Sequence, residues 1–191
     1  MTSQVMPPAM SRPNPSETRE PRPAAFLDRD GVINVDRGYT HAPDALEFTP
    51  TAIEGIKLLN EAGYRVLVVT NQSGVARGFY GTADVEAFHA CMNAALAAEG
   101  AHIDEFYYCP YHPDGIVAEF AVEHDDRKPG AGMLRRAMRD WNVQQEGSFM
   151  IGDKPSDAEA AAAAGIPSLL IQADTGDLAA AVRQFLAKDS R

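Results

Sequence analysis

An apolar run that ends in two closely spaced acids is the feature of this sequence that most constrains its fold. Residues 24–27 read Ala-Ala-Phe-Leu and lead into Asp28, Asp30 and Gly31. The run predicts a buried strand that ends at about Asp28, and Gly31 allows the backbone to turn directly after it. Two carboxylates that converge there repel each other unless a cation lies between them. Mg²⁺, which prefers oxygen ligands, is the expected occupant, and a simple polar turn after a buried strand is the alternative.

Strand-like and helix-like segments alternate along the remaining chain. Predicted strands cover about 24–28, 65–70, 103–109, 148–151 and 167–171. Predicted helices begin near Thr49 (as an N-cap), Thr82, Met133, Ser156 and Leu178. The unbroken apolar run within 65–70 is typical of a strand buried on both faces. Strands that alternate with helices predict an α/β fold, a Rossmann-like three-layer sandwich with a central parallel sheet.

The length and the first residues of the chain predict its domain organisation. The 191 residues suit one domain, which is predicted to span residues 24–191. Residues 1–23 are rich in Pro, Ser, Arg and Glu and lack the apolar core of a signal peptide. A disordered N-terminal tail is therefore expected over residues 1–23.

Charge and cysteine content narrow the range of partners and compartments. The net charge is −10 and there is no basic stripe, which argues against a nucleic-acid partner. Cys91 and Cys109, the two cysteines, provide no disulfide framework, and no apolar run reaches membrane-spanning length. We therefore expect a cytoplasmic protein without a membrane partner. A monomer is expected too, because no long apolar stripe remains once the core is assigned.

Polar residues gather where the predicted strands end, which is where ligands bind in open parallel sheets. Asp28 and Asp30 follow the first strand, and Thr70-Asn71-Gln72-Ser73-Gly74 follows the second. Gly152-Asp153-Lys154 follows another, and Arg127-Lys128 precedes a helix. Singly, each cluster has a simple explanation, such as a helix cap, a strand end or a solvated loop cation. Together they predict one site that combines acids, a hydroxyl group and a lysine.

The order of these motifs resembles that of the haloacid dehalogenase superfamily of phosphatases. The matching residues are Asp28-Arg29-Asp30-Gly31, Thr70-Asn71, Lys128 and Gly152-Asp153-Lys154 with Asp157. Within the superfamily, the sequence is similar to the heptose bisphosphate and histidinol-phosphate phosphatases, through residues 26–34, 38–39, 70–78, 107–110 and 127–129. The similarity extends over about residues 24–172. Four ordered motif groups are far more specific than one short pattern.

The resemblance implies a Mg²⁺-dependent phosphatase that acts through an aspartyl-phosphate. Asp28 is then the nucleophile, and Asp30 protonates the leaving alkoxide and later takes a proton from water. Lys128 and the Thr70 hydroxyl, with the backbone N–H of Asn71, stabilise the phosphoryl oxygens. The resemblance assigns Mg²⁺ to Asp28, Asp153 and the backbone carbonyl of Asp30, where it offsets the charge of the phosphate.

The resemblance also bears on the substrate. Residues 32–48 are too few for the cap domain that many superfamily members carry there, so loops are expected to shape the site. The residues placed against a small phosphorylated sugar are Asp36, Arg37, Gly38, Tyr39, Asn71, Gln72, Ser73, Arg127 and Lys154. Arg127 suits bidentate binding of a phosphate, and an ion pair with Asp125 is the alternative.

The implied reaction is removal of the 7-phosphate of D-glycero-D-manno-heptose 1,7-bisphosphate. Hydrolysis of histidinol phosphate or another small monoester is the alternative within the same chemistry. An open site also suits the phosphorylated end of a polymer, but the acidic net charge argues against this. A phosphate-binding protein without turnover is disfavoured because Asp28, Asp30, Thr70, Lys128 and Asp153 are all present.

One departure concerns zinc. The related phosphatases bind a structural zinc in the loop that corresponds to residues 109–126, through a Cys-x-His and a Cys-x-Cys pair. The corresponding residues here are Cys109, Tyr111, His124 and Asp126, so only Cys109 is retained. A rebuilt site from Cys109, His112, His124 and Asp126 is the alternative, since zinc needs four donors. We expect a metal-free loop packed by Tyr111, Ile116, Val117 and Phe120.

Overall fold

A sheet of five parallel strands forms the centre of the computed structural model, which describes residues 20–189. The strands are β1 (Arg22–Leu27), β2 (Arg65–Asn71), β3 (Glu105–Cys109), β4 (Val143–Gly152) and β5 (Ser168–Leu170). Their order across the sheet is β3-β2-β1-β4-β5, and every neighbouring pair is parallel. β1 therefore lies in the middle, directly between β2 and β4.

Helices cover both faces of this sheet. They are α1 (Ala52–Glu61), α2 (Thr82–Ala98), α3 (Gly132–Asp140), α4 (Pro155–Ala164) and α5 (Leu178–Asp189). Buried residues of α1, α2 and α5 form one hydrophobic core with the sheet, and those of α3 and α4 form a second core on the opposite face. The helix–sheet–helix layers confirm the predicted α/β sandwich with a parallel sheet.

β2 shows why the sheet needs both helical layers. Val66, Leu67, Val68 and Val69 are all fully buried, and successive side chains of a strand point to opposite faces. Val66 and Val68 belong to the core with α1, α2 and α5, whereas Leu67 and Val69 belong to the core with α3 and α4. Only the ends of such a strand are free for polar chemistry, and the carboxyl end of β2 carries Thr70.

Two strands begin earlier than the sequence pattern predicts. β1 starts at Arg22, so Arg22 and Pro23, expected in the tail, pair with Val143 and Gln144 of β4. The first part of β4 has polar, exposed side chains, so the apolar pattern of the sequence does not predict it as a strand. A register shift separates this part from the buried part of β4. The rest of the predicted tail, residues 1–19, lies outside the described residues.

The first helix begins later than predicted. Thr49, the expected N-cap, instead donates its hydroxyl to the Val32 carbonyl at 2.7 Å, and α1 begins at Ala52. Thr49 is buried, so this hydrogen bond ties the loop after β1 to the start of α1.

The segment between β1 and α1 carries no cap domain, as predicted. Residues 28–51 contain a short 3-10 helix, Pro43–Ala45, and isolated bridges that join Asn34 to Asp30 and Phe48. The end of the sheet therefore stays open to small molecules. None of the helices between residues 20 and 189 is long and apolar enough to cross a membrane.

Candidate active site

A cavity of about 400 Å³ opens where β1, β2 and β4 end. Its lining consists of Asp28, Asp30, Asp36, Gly38, Tyr39, Thr70, Asn71, Gln72, Ser73, Tyr80, Arg127, Lys128, Lys154, Ser156 and Asp157. Most of the predicted site residues are among them. They meet because the carboxyl ends of parallel strands lie at the same edge of the sheet.

Asp28 is fixed through one oxygen of its carboxylate. Its backbone N–H continues the pairing of β1 with β4 by donating to the Ile151 carbonyl at 3.0 Å. Its Oδ1 accepts the Arg29 N–H at 2.7 Å and lies 2.9 Å from Lys128 Nζ. The side chain is buried, so these contacts set its orientation at the cavity.

Lys128 is a buried cation with all of its donors engaged. Its Nζ lies 2.9 Å from Asp28 Oδ1 and 2.6 Å from Asp157 Oδ1, and it donates to the Val69 carbonyl at 2.8 Å. An ammonium group has three N–H donors, so each one has a partner. Burial alone would lower the pKa of Lys128, but attraction to Asp28 and Asp157 outweighs it and raises this pKa. The side chain is therefore charged.

Three carboxylates meet beside Lys128. Ligand oxygens of Asp28, Asp153 and Asp157 lie within 4.8 Å of one another. Burial, and then the nearby charge of Asp28, raises the pKa of Asp153 to about 6. The same two causes raise the pKa of Asp157. Like charges held this close indicate a place for a further cation.

Asp153 is the member of this group that best suits a metal ligand. Its Oδ1 is buried without a hydrogen-bond partner, a costly state for a carboxylate oxygen. Asp157 is committed elsewhere, because its Oδ2 accepts the N–H groups of Asp153 and Lys154 at 3.1 and 3.0 Å. The residues present therefore fit a Mg²⁺ ion held by Asp28 and Asp153, with Asp157 supporting the loop and Lys128.

Two glycines permit this close packing. Gly31 has φ of +84°, and a β-carbon there would lie 2.7 Å from Oδ2 of Asp153. A β-carbon at Gly152 would lie 2.3 Å from Oδ2 of Asp157. A larger residue at Gly31 would displace a carboxylate of the proposed metal site, and one at Gly152 would displace the supporting carboxylate of Asp157.

Asp30 is held by a separate network. Arg29 Nη2 donates to both Asp30 oxygens at 2.9 Å, and its Nε donates to Oδ1 at 3.2 Å. Asn34 Nδ2 and Gln72 Nε2 donate to the same carboxylate at 3.0 and 2.9 Å. The Asp30 side chain thus lies outside the group of acids around Asp153, which leaves its backbone carbonyl as the predicted metal contact.

Asn71, predicted to contact substrate, also holds Lys128 in place. Its Nδ2 donates to the Lys128 carbonyl and its Oδ1 accepts the Lys128 N–H, both at 3.0 Å. The two hydrogen bonds hold the backbone N–H and the backbone carbonyl of Lys128 in place. Asn71 lines the cavity, but its side-chain amide serves the position of Lys128.

Gln72, another predicted substrate contact, joins three residues of the site. Its Nε2 donates to Asp30 Oδ2 at 2.9 Å and to Thr70 Oγ1 at 3.0 Å. Its Oε1 accepts the Tyr80 hydroxyl at 2.8 Å. Burial raises the pKa of Tyr80 to about 12, so the hydroxyl keeps the proton that it donates.

The loop after β1 brings Asp36, Gly38 and Tyr39 to the cavity, but not Arg37. The Arg37 guanidinium is paired with Glu47 on the exposed surface, because this acid of the same loop offers it a nearer partner. That Arg37 contacts substrate therefore stays a prediction, which the cavity lining does not support. Gly38 donates its N–H to Asp36 Oδ1 at 2.9 Å, and Tyr39 has a positive φ of 58°.

Arg127 faces the cavity rather than its alternative partner. Asp125, the alternative, lies 3.8 Å from Arg135. Nη1 of Arg127 is buried without a hydrogen-bond partner. A buried guanidinium donor left in this state is suited to an anionic group of a ligand.

Lys154 and Ser73 are the remaining predicted substrate contacts, and both line the cavity. Lys154 Nζ lies 3.7 Å from Asp36 Oδ2 and 3.5 Å from Asp153 Oδ2. Its charge therefore lies between the loop after β1 and the proposed metal site.

Within the described part of the chain, the structure does not assemble the four candidate zinc ligands, Cys109, His112, His124 and Asp126. Burial raises the pKa of Cys109 to about 11, whereas zinc binds the thiolate. Nδ1 of His112 and Nδ1 of His124 each accept a backbone N–H, at 3.1 and 3.0 Å. Asp126 is paired with Arg136. That purified protein carries no stoichiometric zinc stays a prediction, which metal analysis would test.

Aromatic rings pack the loop that holds these residues. Tyr111 stacks on His124 with ring centroids 4.2 Å apart and meets Phe120 at 5.8 Å. Ile116, expected to pack the same loop, is 81% exposed. The expectation for Ile116 is therefore wrong, because the stacked rings fill the interior of the loop without it.

Several side chains that support the site have no assigned role in the sequence prediction. Arg29 is fully buried although arginine is usually exposed. The only sequence feature that could have indicated its supporting role is its position between two acids. Tyr80 and His89 lie further along the chain, and no spacing pattern links them to the site. Asp157 belongs to a recognised motif, but its contact with Lys128 emerges only from the structure.

Comparison with known proteins agrees with this geometry. A family model described as HAD-hydrolase-like matches residues 126–187. The D-glycero-β-D-manno-heptose-1,7-bisphosphate 7-phosphatase of Rhodopseudomonas palustris is 44% identical over 170 residues, which cover 89% of this chain and 93% of the relative. The protein of the same name from Escherichia coli K12 is 45% identical over 144 residues, 75% of each chain.

Solved structures extend the comparison. A HAD-like phosphatase from Mesorhizobium loti has a TM-score of 0.77 and 32% identity, with 97% of this chain and 91% of that chain covered. The D,D-heptose 1,7-bisphosphate phosphatase of B. bronchiseptica, solved with magnesium and phosphate, has a TM-score of 0.76 and 34% identity. That match covers 87% of this chain and 99% of the other. This chain belongs to the haloacid dehalogenase superfamily of phosphatases, in the family of the heptose 1,7-bisphosphate 7-phosphatases.

Proposed function

We propose that the protein removes the 7-phosphate of D-glycero-D-manno-heptose 1,7-bisphosphate in a Mg²⁺-dependent reaction. One observation carries the proposal: Asp28, Asp30 and Lys128 line a single cavity, and Asp153, which has a buried, unpaired oxygen, lies beside Asp28. The identity with named heptose bisphosphate phosphatases supports this substrate. That the protein is a cytoplasmic monomer without nucleic-acid or membrane partners stays a prediction.

Asp28 is the proposed nucleophile. Lys128 and the Arg29 N–H both contact its Oδ1, so we assign the attack on phosphorus to Oδ2. A bond forms between this oxygen and phosphorus while the bond from phosphorus to the sugar oxygen breaks. Water then hydrolyses the aspartyl-phosphate, which releases inorganic phosphate and restores Asp28.

Asp30 is proposed to move the protons. Arg29 and Gln72 hold its carboxylate beside the cavity that Asp28 lines. In the first step Asp30 gives a proton to the departing sugar oxygen, and in the second it takes one from the attacking water. The proton lost in one step is regained in the other, so the cycle balances.

The remaining groups offset the charge of the phosphate. Lys128 is charged, and the Thr70 hydroxyl, which accepts from Gln72 at 3.0 Å, has its own proton to donate to a phosphoryl oxygen. A Mg²⁺ ion held by Asp28 and Asp153 would lower the repulsion between the nucleophile and a phosphate dianion. This positive charge is what permits one anion to attack another.

Arg127 supports a substrate with two phosphates. Arg127 lines the same cavity as Asp28, and its Nη1 is buried without a partner, so its guanidinium can bind a second phosphate away from the reacting one. A cavity of about 400 Å³ is within the range of small-ligand sites.

Side-by-side kinetics with heptose 1,7-bisphosphate and histidinol phosphate test the proposal. We expect Mg²⁺-dependent phosphate release and a higher kcat/KM for the bisphosphate. The Asp28→Asn variant should keep its fold, measured by circular dichroism, and lose turnover. A higher kcat/KM for histidinol phosphate would make histidinol phosphate the substrate in place of the heptose bisphosphate. Full activity of Asp28→Asn would exclude Asp28 as the nucleophile. Failure to turn over any small monoester would instead favour a phosphate-binding protein.

A further inference from the structure

Behind Asp30 lies a buried network, of which the proposed reaction uses only the contact between Arg29 and Asp30. Arg29 is completely buried, and its Nη2 donates to the Thr40 carbonyl at 2.6 Å as well as to Asp30. Its Nη1 lies 3.2 Å from Nε2 of His89, and its guanidinium carbon lies 4.7 Å from the centre of the Phe88 ring. One cation thus joins the proposed acid–base residue to α2 and to the loop after β1.

The contact with Arg29 determines the state of His89. A guanidinium has only N–H donors, so His89 Nε2 must accept, and the neutral ring carries its proton on Nδ1. Burial, and then the charge of Arg29, lowers the pKa of His89 well below its usual range. The ring is buried and stacks on Phe106 with centroids 4.3 Å and planes 12° apart. His89 is therefore a rigid acceptor at the inner end of the network.

We infer that His89 is a positioning residue for the phosphatase reaction, an inference that rests on the proposed function. By accepting from Nη1, it fixes the rotation of the Arg29 guanidinium, which in turn fixes the Asp30 carboxylate toward the leaving group. Without this acceptor, Arg29 keeps only the Thr40 carbonyl and the Phe88 ring as inner contacts, so its guanidinium can rotate and its hold on the Asp30 carboxylate weakens. A misplacement of about 1 Å in a reacting group can lower the rate by roughly 100-fold.

A displaced general acid affects two kinds of substrate unequally. A sugar alkoxide is a poor leaving group and needs a proton as the bond to phosphorus breaks, whereas p-nitrophenolate leaves without one. Loss of the Asp30 position therefore lowers kcat/KM for the sugar phosphate more than for p-nitrophenyl phosphate. A general loss of packing lowers both alike, so the ratio of the two constants separates positioning from stability.

The test compares two variants that differ by one methylene group. In His89→Gln the side chain is long enough to place an amide oxygen near the position of Nε2, whereas in His89→Asn the same amide falls short. The measured quantity is kcat/KM for heptose bisphosphate divided by kcat/KM for p-nitrophenyl phosphate. We expect His89→Asn to lower this ratio by about tenfold or more, whereas His89→Gln should keep the ratio close to its wild-type value. Met92→Ala, a buried core change in the same helix, controls for destabilisation and should leave the ratio unchanged.

Equal losses on both substrates in His89→Asn, or an equal shift of the ratio in Met92→Ala, would overturn the inference. Nitrogen-15 NMR of the wild-type protein supplies a readout that does not depend on activity. An unprotonated Nε2 on His89 is expected, and a proton on Nε2 would also overturn it. Wild-type protein that hydrolyses histidinol phosphate but not the heptose bisphosphate would reject the proposed substrate alone, and the ratio would then be measured with histidinol phosphate.

Discussion

Lys128 Nζ lies 2.9 Å from Oδ1 of Asp28, and both side chains are almost completely buried. Asp157 lies on the other side of the ammonium at 2.6 Å, and Asp153 adds a third carboxylate to the group. Asp28 and Asp157 share the buried Lys128, and Asp153 lies 3.5 Å from the half-exposed Lys154. Three acids therefore face two lysines, so the site has an excess of negative charge until a divalent cation binds. The stability of the metal-free protein and its affinity for Mg²⁺ therefore depend on the same side chains.

Replacing Lys128 with Met removes the buried charge and keeps much of the volume. Asp28 and Asp157 then lose their partner, so the metal-free protein should lose about 3 kcal/mol of unfolding free energy near pH 7. Turnover should fall by about 100-fold or more, because the positive charge that offsets the charge of the phosphate is also lost. Urea denaturation and phosphate release measure the two effects.

Lys154→Met is the matched control for stability. The Lys154 side chain is 51% exposed and lies 3.5 Å or more from its acidic neighbours. Its loss should cost less than about 1 kcal/mol, as for other exposed pairs. Equal destabilisation by the two substitutions would contradict the role assigned to burial.

Mg²⁺ affinity should fall as the pH drops below about 6. Burial and the charge of Asp28 raise the pKa of Asp153 to about 6 from an ordinary value of 3.8, and a protonated carboxyl cannot bind the ion. In the metal-free protein, the folded state holds this proton more tightly than the unfolded chain does. Its stability should therefore decrease as the pH rises from about 4 to about 6, which is opposite to the usual behaviour of an acid.

Thermal unfolding with and without Mg²⁺ measures this dependence. The increase in Tm caused by Mg²⁺ should be larger near pH 7.5 than near pH 5. Asp153→Asn removes the titrating group and should remove most of the difference. The same pH dependence in this variant and in wild type would assign the effect to another residue.

The fold and part of the site were predictable because they depend on short local patterns. The apolar runs that end at Leu27 and Val69 predict buried strands, and Asp28 and Thr70 follow them directly. Once the sheet is parallel, such residues must lie at one edge.

The other contacts depend on residues that are distant in the chain. Asn71 hydrogen-bonds the backbone of Lys128, 57 residues later, and neither segment carries a sign of the pairing. Arg37 and Arg127 are both loop arginines near motif residues, yet Glu47 pairs with Arg37 while Nη1 of Arg127 stays unpaired. Whether a loop arginine is paired or left free for a ligand depends on which acids the folded loops bring close to it.

Gly31→Ala should weaken Mg²⁺ binding as well as the fold. Gly31 has φ of +84°, which costs any other residue roughly 1 kcal/mol, and the added carbon would lie 2.7 Å from Asp153 Oδ2. Gly63→Ala is the matched control, since its φ of +79° is similar and nothing lies within 4 Å of a β-carbon there. Both variants should lose stability, but only Gly31→Ala should lose Mg²⁺ affinity in calorimetric titration. Unaltered affinity in Gly31→Ala would mean that Asp153 can move without cost to the metal.

Arg127→Ala should lower kcat/KM for the bisphosphate by roughly 10- to 100-fold, because a charge-assisted contact to the second phosphate is lost. The same change should have little effect on a sugar phosphate that carries only the reacting group. Arg135→Ala removes an exposed guanidinium that lies 3.8 Å from Asp125, so it tests whether total charge alone explains the loss. Steady-state kinetics on both substrates should then show a large change in their ratio for Arg127→Ala and almost none for Arg135→Ala. A parallel loss on both substrates would show that Arg127 acts on the reacting phosphate, and the site would no longer favour a bisphosphate.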